Sequence, residues 1–234
     1  MNAMRNAGLL FVTTCSMVLL GGGACAGKGT TGAPADDASI ALLDDAGVCG
    51  VTTRRFDVVG ARHVPVGTVV PYASNPPSGG DHYAIWLSWG AHDAPVPPGH
   101  WVHNLEHGGV ALLYRCANRA ACPELAGQLE SIAAAVPQDA RCTVEAPGVR
   151  GRVLVLPDPD LPDGVQVAAA AWGYTLVARC VDAPLLRQFY VDHEGHGPED
   201  LCADGVDVTR DAAPVSDAGE DAGGDAGDAA GEGG

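Results

Sequence analysis

Lysine is almost missing from this sequence, since Lys28 is the only one among its 234 residues. Imine chemistry and lysine general-base chemistry need a lysine amine beside the substrate. A domain formed by residues that follow Lys28 therefore cannot use its own lysines for either. The chain also has no Gly-x-Ser-x-Gly motif, and no glycine-rich loop precedes a helix in the phosphate-binding manner. No nucleophile therefore stands out.

Basic residues are also few. Lys and Arg total 13 against 29 Asp and Glu, which gives a net charge of -16. Residues 211–234 hold seven of the acids and no base, but the rest of the chain is still acidic. This balance disfavours nucleic acid or an anionic membrane surface as a partner. Residues 26–47 and 207–234 have little to bury, so we predict a disordered tether and a disordered acidic tail.

The longest apolar run is too short to cross a bilayer comfortably. Residues 8–20 follow Arg5 and precede small residues, which is typical of an export signal over residues 1–25. A lipoprotein signal would place the lipid on Cys25, although Gly22 stands where leucine is usual; simple cleavage and release is the alternative. We expect an exported chain in the cell envelope or periplasm, outer-membrane-anchored or secreted, with membrane contact only through a lipid.

No Cys-x-x-Cys pair occurs, which disfavours a thiolate metal site. Beyond the signal segment an even number of cysteines remains, and in an exported chain this favours disulfides. Because Cys49 and Cys202 bracket the domain, they would suit a bond that joins its ends. The sequence does not choose among the pairings of the six candidates, which are Cys49, Cys116, Cys122, Cys142, Cys180 and Cys202.

The apolar patterns predict a single α+β domain over residues 48–206. Its expected architecture is one mixed or antiparallel sheet with two or more helices, stapled by disulfides. Residues 83–89 suit a strand or a packed loop, and residues 94–100 a surface connection. The patterns predict strands at residues 56–66, 110–115, 152–156 and 165–177, and helices at residues 123–136 and 184–193.

A candidate metal site lies in the motif His103-Asn104-Leu105-Glu106-His107. If this segment is helical, His103 and His107 share one face about one turn apart and can reach the same cation. If it is extended, the two rings lie roughly 13 Å apart and cannot chelate. His82 follows a Pro-Pro corner and a Ser-Gly-Gly loop, so it is the natural third ligand. Three histidines suit zinc or copper.

Several polar residues accompany this set. Glu106 could bind the metal, orient an imidazole or act as a base. Asp81, Asn75 and Glu199 are candidates to support the imidazoles from outside the ligand set. A purely structural polar cluster is the alternative to a metal site, because histidines near loops often only form hydrogen bonds. Asparagine, here Asn75, often stabilises a turn.

Two other functions compete with metal binding alone. The pattern His-x-x-Glu-His is also the inverted zinc-peptidase motif, in which Glu106 would be the catalytic base of a metal-dependent hydrolase. Gly108-Gly109 would end the helix at once, so the motif lacks a long supporting helix. The absence of a clear nucleophile instead favours a non-catalytic adhesion or scaffold module.

The remaining histidines carry weaker expectations. His63 is placed in or beside a strand. The others are interpreted as surface residues, namely His92, His100, His193 and His196.

The chain resembles a family known as the domain of unknown function numbered 3105. Over residues 62–199 it supplies four matching motifs, while Ala73, Ser78, Gly79 and Asp81 depart from the usual first motif. The resemblance implies an exported or membrane-attached domain and carries no activity with it. The matches are Tyr72, Ser74, Asn75, Pro76, Pro77, Gly80, His82 and Tyr83; then Val102, His103, Leu105, Glu106, His107, Gly108 and Val110; then Ala171-Trp172-Gly173 and Gly197-Pro198-Glu199.

Overall fold

A computed structural model describes residues 49–209. The predicted signal peptide, its lipidation residue Cys25 and the predicted tether lie outside the described residues, as does the acidic tail beyond residue 209. Those assignments therefore stay predictions. Within residues 49–209, none of the helices has the length and apolar character needed to cross a membrane.

The described residues form four α-helices, eight strands and a short 3-10 turn at Arg119–Ala121. In chain order the elements are β1 (Thr52–Arg55), β2 (His63–Val64), β3 (His82–Tyr83), β4 (Gly90–Ala91), α1 (Pro98–Glu106), β5 (Val110–Tyr114), α2 (Pro123–Ala134), α3 (Ala140–Glu145), β6 (Val153–Pro157), β7 (Val167–Ala171), β8 (Tyr174–Ala178) and α4 (Ala183–His193).

Six strands form one mixed sheet in the order β1-β8-β7-β5-β6-β4. The pairs β1 with β8, β8 with β7, and β7 with β5 are antiparallel. The pairs β5 with β6 and β6 with β4 are parallel. The two remaining strands, β2 and β3, pair with each other in a separate ribbon. The predicted α+β class is confirmed.

Both faces of the sheet are covered, and every residue of β5, β6 and β7 is buried. Along β5, Leu112 packs in one apolar cluster with Leu129 of α2, whereas Leu113 packs in another with Val102 and Leu105 of α1. Strands that are buried on both faces carry continuous apolar runs rather than an alternation. The core therefore holds α1 firmly against one face of the sheet.

Four predicted elements are confirmed and three expectations need correction. The helices at residues 123–136 and 184–193 and the strands at 110–115 and 152–156 are present within a few residues. Residues 165–177 form not one strand but most of the β7–β8 hairpin, because Gly173 turns the chain with φ +78°.

The other two corrections concern loops near the ribbon. Of residues 56–66 only His63–Val64 is a strand, since Gly60 at φ +84° and Pro65 interrupt the extended chain. Residues 94–100 are not only a surface connection. Pro98 starts α1, because proline suits a first helical turn.

Three disulfides join all six candidate cysteines. The expected bond between Cys49 and Cys202 is wrong, because each end of the domain is tied to an internal element instead. Cys49 precedes the edge strand β1 and is bonded to Cys180, which lies two residues after the end of β8. The pairs are Cys49–Cys180, Cys116–Cys122 and Cys142–Cys202.

Gly99 makes room for the Tyr83 ring where α1 meets β3. A Cβ atom at Gly99 would lie 2.7 Å from three carbons of that ring. We expect Gly99→Ala to lower the free energy of unfolding by about 1–3 kcal/mol through overpacking. Gly127→Ala in α2 is the matched control. Apart from its chain neighbours and the backbone of its own helix, no atom of the described residues lies within 4 Å of its Cβ position, so we expect a gain of about 0.5–1 kcal/mol. Urea titrations monitored by circular dichroism measure both, and equal gains would contradict the prediction.

Candidate metal centre

The ribbon of β2 and β3 sets two histidines side by side. The strands are parallel, and His63 pairs with His82 in the register. The backbone N–H of His82 donates to the carbonyl of Arg62 at 3.0 Å. The His82 side chain is fully buried, whereas that of His63 is 51% exposed. The ribbon therefore presents one imidazole inside the domain and one at its edge.

Asp81 holds this ribbon in register. Its Oδ1 accepts a hydrogen bond from the backbone N–H of Arg62 at 3.0 Å, and its Oδ2 accepts one from Arg62 Nη2 at 2.7 Å. These hydrogen bonds keep the pKa of Asp81 below its ordinary value. Because Arg62 precedes His63 and Asp81 precedes His82, the pair ties together the two segments that carry the imidazoles. Asp81 supports the rings through the backbone rather than by direct contact.

Helix α1 supplies the other groups. Its helical form places His103 and His107 one turn apart with 3.1 Å between their Nε2 atoms. The helical alternative for this segment is therefore confirmed. The helix spans nine residues, and the following Gly108 adopts φ +80°. Glu106 lies on the last turn and is buried with both histidines.

Two of the imidazoles are oriented by backbone carbonyls. His103 Nδ1 donates to the Tyr83 carbonyl at 2.6 Å, and His82 Nδ1 donates to the Gly80 carbonyl at 2.8 Å. A carbonyl only accepts, so each Nδ1 carries the proton and each Nε2 of the neutral ring keeps its lone pair. Metal-binding histidines in proteins are held in this way.

Four ligand atoms converge on one place. One such atom from each of His63, His82, His103 and Glu106 lies within 4.8 Å of the others. Glu106 Oε2 is 2.9 Å from His82 Nε2 and 3.9 Å from His63 Nε2. Three imidazoles and one carboxylate form a donor set that can hold a metal ion.

His107 belongs to a neighbouring group. Its Nε2 lies 3.4 Å from Glu199 Oε2 as well as near His103. Ligand atoms of Glu106, His107 and Glu199 all lie within 4.8 Å of one another, so Glu106 is a member of both groups. Among the described residues, His107 Nδ1 is buried and has no hydrogen-bond partner.

Burial keeps the two histidines of the α1 motif uncharged. It lowers the pKa of His103 to about 3, although the hydrogen bond to Tyr83 acts in the opposite direction. Burial likewise lowers the pKa of His107 and raises the pKa of the Glu106 carboxyl, which His82 partly opposes. At neutral pH both helical imidazoles therefore offer lone pairs. A cation beside Glu106 would offset the cost of burying its charge.

A family model described as a protein of unknown function, DUF3105, matches residues 63–204, which is more than half of the chain. The chain belongs to the DUF3105 family. The matched range of this DUF3105 domain starts at His63 and includes every residue of both His/Glu groups. No curated protein and no solved structure matches the chain.

One member of the first His/Glu group in this DUF3105 domain was not predicted from the sequence. His63 stood outside the predicted ligand set, because its place beside His82 depends on pairing between strands 19 residues apart. The predicted ligands His82 and His103 do lie together with Glu106, and His107 lies beside them. Asn75 donates to the Asp160 carbonyl at 2.9 Å and so fits the turn-locking alternative. Glu199 lies beside His107.

The expectation of surface exposure is corrected for two other histidines. His92 and His100 are not surface residues but are buried, each with a ring nitrogen bonded to a backbone carbonyl. A further group of Asp139, Cys142 and Cys202 has short distances, but both sulfurs are joined in a disulfide and offer no thiolate.

Proposed function

We propose that this DUF3105 domain binds a transition-metal ion, zinc or copper, through His63, His82, His103 and Glu106. The convergence of these four ligand atoms within 4.8 Å is the observation that carries the proposal. The carbonyl-held Nδ1 atoms of His82 and His103 support it, since they leave both Nε2 lone pairs free for a metal.

The proposal gives Glu106 the role of a ligand. A general base would need a carboxylate free to take a proton from bound water. Glu106 Oε2 instead lies 2.9 Å from His82 Nε2, within the group of ligand atoms. This position favours metal binding over the hydrolase hypothesis, in which Glu106 would be the base.

Metal retention by the full chain, produced without an affinity tag, tests the proposal. After incubation with Zn²⁺ or Cu²⁺ and gel filtration, elemental analysis should find bound metal. His82→Ala should weaken binding by at least about 100-fold, because removing a ligand costs more than removing its support. His196→Ala is the matched control, since that ring lies outside both groups and bonds to the Asp192 carbonyl. A wild-type chain that retains neither metal would refute metal binding.

We further propose that the domain works outside the cytoplasm, in the cell envelope, anchored through a lipid on Cys25 or released. Three disulfides support this location, because such bonds persist in oxidising compartments. The acidic charge supports a role without nucleic acid, and membrane contact would come through the lipid alone.

A further inference from the structure

The centre holds more ligand groups than one ion uses. Zinc ions in proteins usually take four ligands, and the first group already supplies four. His107 and Glu199 are then left over, although both lie within reach of Glu106. The six side chains of the two groups, which share Glu106, are His63, His82, His103, Glu106, His107 and Glu199.

We propose that the domain holds two transition-metal ions side by side, with the Glu106 carboxylate bridging them. The first ion is the one proposed above, so this inference rests on the proposed function. The second ion is bound by Glu106, His107 and Glu199. Paired metal ions in proteins lie about 3.5–4 Å apart, which the two oxygens of one carboxylate can span.

His107 is placed to bind a second ion. It is buried, and its Nε2 lies 3.1 Å from His103 Nε2 and 3.4 Å from Glu199 Oε2. Once an ion takes the lone pair of His103, that ring no longer accepts a hydrogen bond from His107. The His107 Nε2 lone pair and the facing Glu199 carboxylate can then bind a cation together.

The segment that carries Glu199 is docked against the end of α1. The backbone N–H of Glu199 donates to the Glu106 carbonyl at 3.0 Å. Gly197 approaches the same carbonyl so closely that a Cβ atom at this position would clash with its oxygen. The Glu199 carboxylate is therefore placed by backbone contacts rather than left on a free loop.

Arg152 also connects the end of α1 to the segment that carries Glu199. Its Nη1 donates both to the His107 carbonyl at 2.8 Å and to Asp200 Oδ1 at 2.6 Å. Two residues after Asp200, the Cys142–Cys202 disulfide ties the same segment to α3. These bonds join the residues that follow α1 to the segment around Glu199, as two ligands of one ion require.

The second ion would keep an open position. It has three protein ligands, one of them shared, so water or a small anion completes its coordination. Glu199 is 58% exposed and His63 is 51% exposed, so both ions are reachable from solvent. A carboxylate-bridged pair with an open position can bind and activate water or a small oxyanion.

Counting the ions tests the pair. The metal-free full chain without a tag is titrated with Zn²⁺, and the ions retained after gel filtration are counted. We expect two per chain in the wild type and one in Glu199→Gln, which should fold normally because Glu199 is largely exposed. Glu124→Gln, an acid in the first turn of α2, is the matched control and should keep two. With Co²⁺, electron paramagnetic resonance should show a coupled pair that Glu199→Gln loses.

The outcomes separate the two proposals. A wild type that saturates at one ion, with Glu199→Gln binding that ion equally well, would overturn the pair and leave the single-ion function standing. A wild type that retains no ion would remove both proposals together. Loss of one ion and of the coupled signal in Glu199→Gln alone supports the pair.

Discussion

Replacing Cys49 and Cys180 by serine should lower the free energy of unfolding by about 5 kcal/mol, the largest effect expected of any disulfide in the domain. A disulfide stabilises mainly by restricting the unfolded chain, and the restriction grows with the loop that it closes. Cys49 and Cys180 are separated by 131 residues, whereas Cys116 and Cys122 are separated by 6. The same relation gives about 2 kcal/mol for the short loop.

The fold supports the larger loss at the first pair. Cys49 precedes β1, an edge strand of the sheet, which pairs with β8. The Arg179 N–H donates a hydrogen bond to the Cys49 carbonyl at 2.8 Å. This hydrogen bond and the disulfide together hold the start of that strand. Without the disulfide, β1 can separate from β8 more easily, which adds to the entropic effect.

Urea unfolding of the two double variants checks this difference. Cys49→Ser with Cys180→Ser is compared with Cys116→Ser with Cys122→Ser, both in chelator so that metal binding does not contribute. Equal losses, or a larger loss for the short loop, would show that loop length does not determine the stabilisation here.

The parts of the fold that sequence could predict are those that local pattern determines. Helix α2 has Pro123 in its first turn and apolar residues at helical spacing, and β5 is a short run of buried apolar residues. The relation of His103 to His107 was equally local, because it depends only on whether six residues are helical. These elements were predicted within a few residues.

The remaining parts depend on contacts between distant segments. The β7–β8 hairpin looked like one strand because alanine and valine run through both arms, and only the turn at Gly173 divides them. The disulfide partners could not be chosen, since Cys49 and Cys180, for example, are brought together only by the pairing of β1 with β8. His63 was missed because its register with His82 arises from a parallel ribbon. Tertiary contacts therefore complete a ligand group that local spacing only began.

The second large effect concerns metal removal. We expect chelation to lower the melting temperature of the zinc-loaded wild type by about 8–16 °C. A ligand present at about 1,000 times its Kd stabilises the folded state by about 4 kcal/mol, and each kcal/mol moves the melting temperature of a domain this size by about 2–4 °C. Differential scanning fluorimetry with and without chelator measures the shift. His103→Ala should lose it, because His103 belongs to the four-ligand group.

A matched buried histidine separates metal binding from ordinary packing. His92 is buried, and its Nε2 contacts the Ser88 carbonyl at 2.9 Å, but it belongs to neither His/Glu group. His92→Ala should therefore lower the melting temperature while leaving the chelator-dependent difference intact. If His103→Ala lowered it equally with and without chelator, and the wild type showed no chelator effect, the adhesion or scaffold hypothesis would gain. The histidines would then only join loops, and the hydrogen bonds of His82 to the Gly80 carbonyl and of His103 to the Tyr83 carbonyl would stabilise the fold alone.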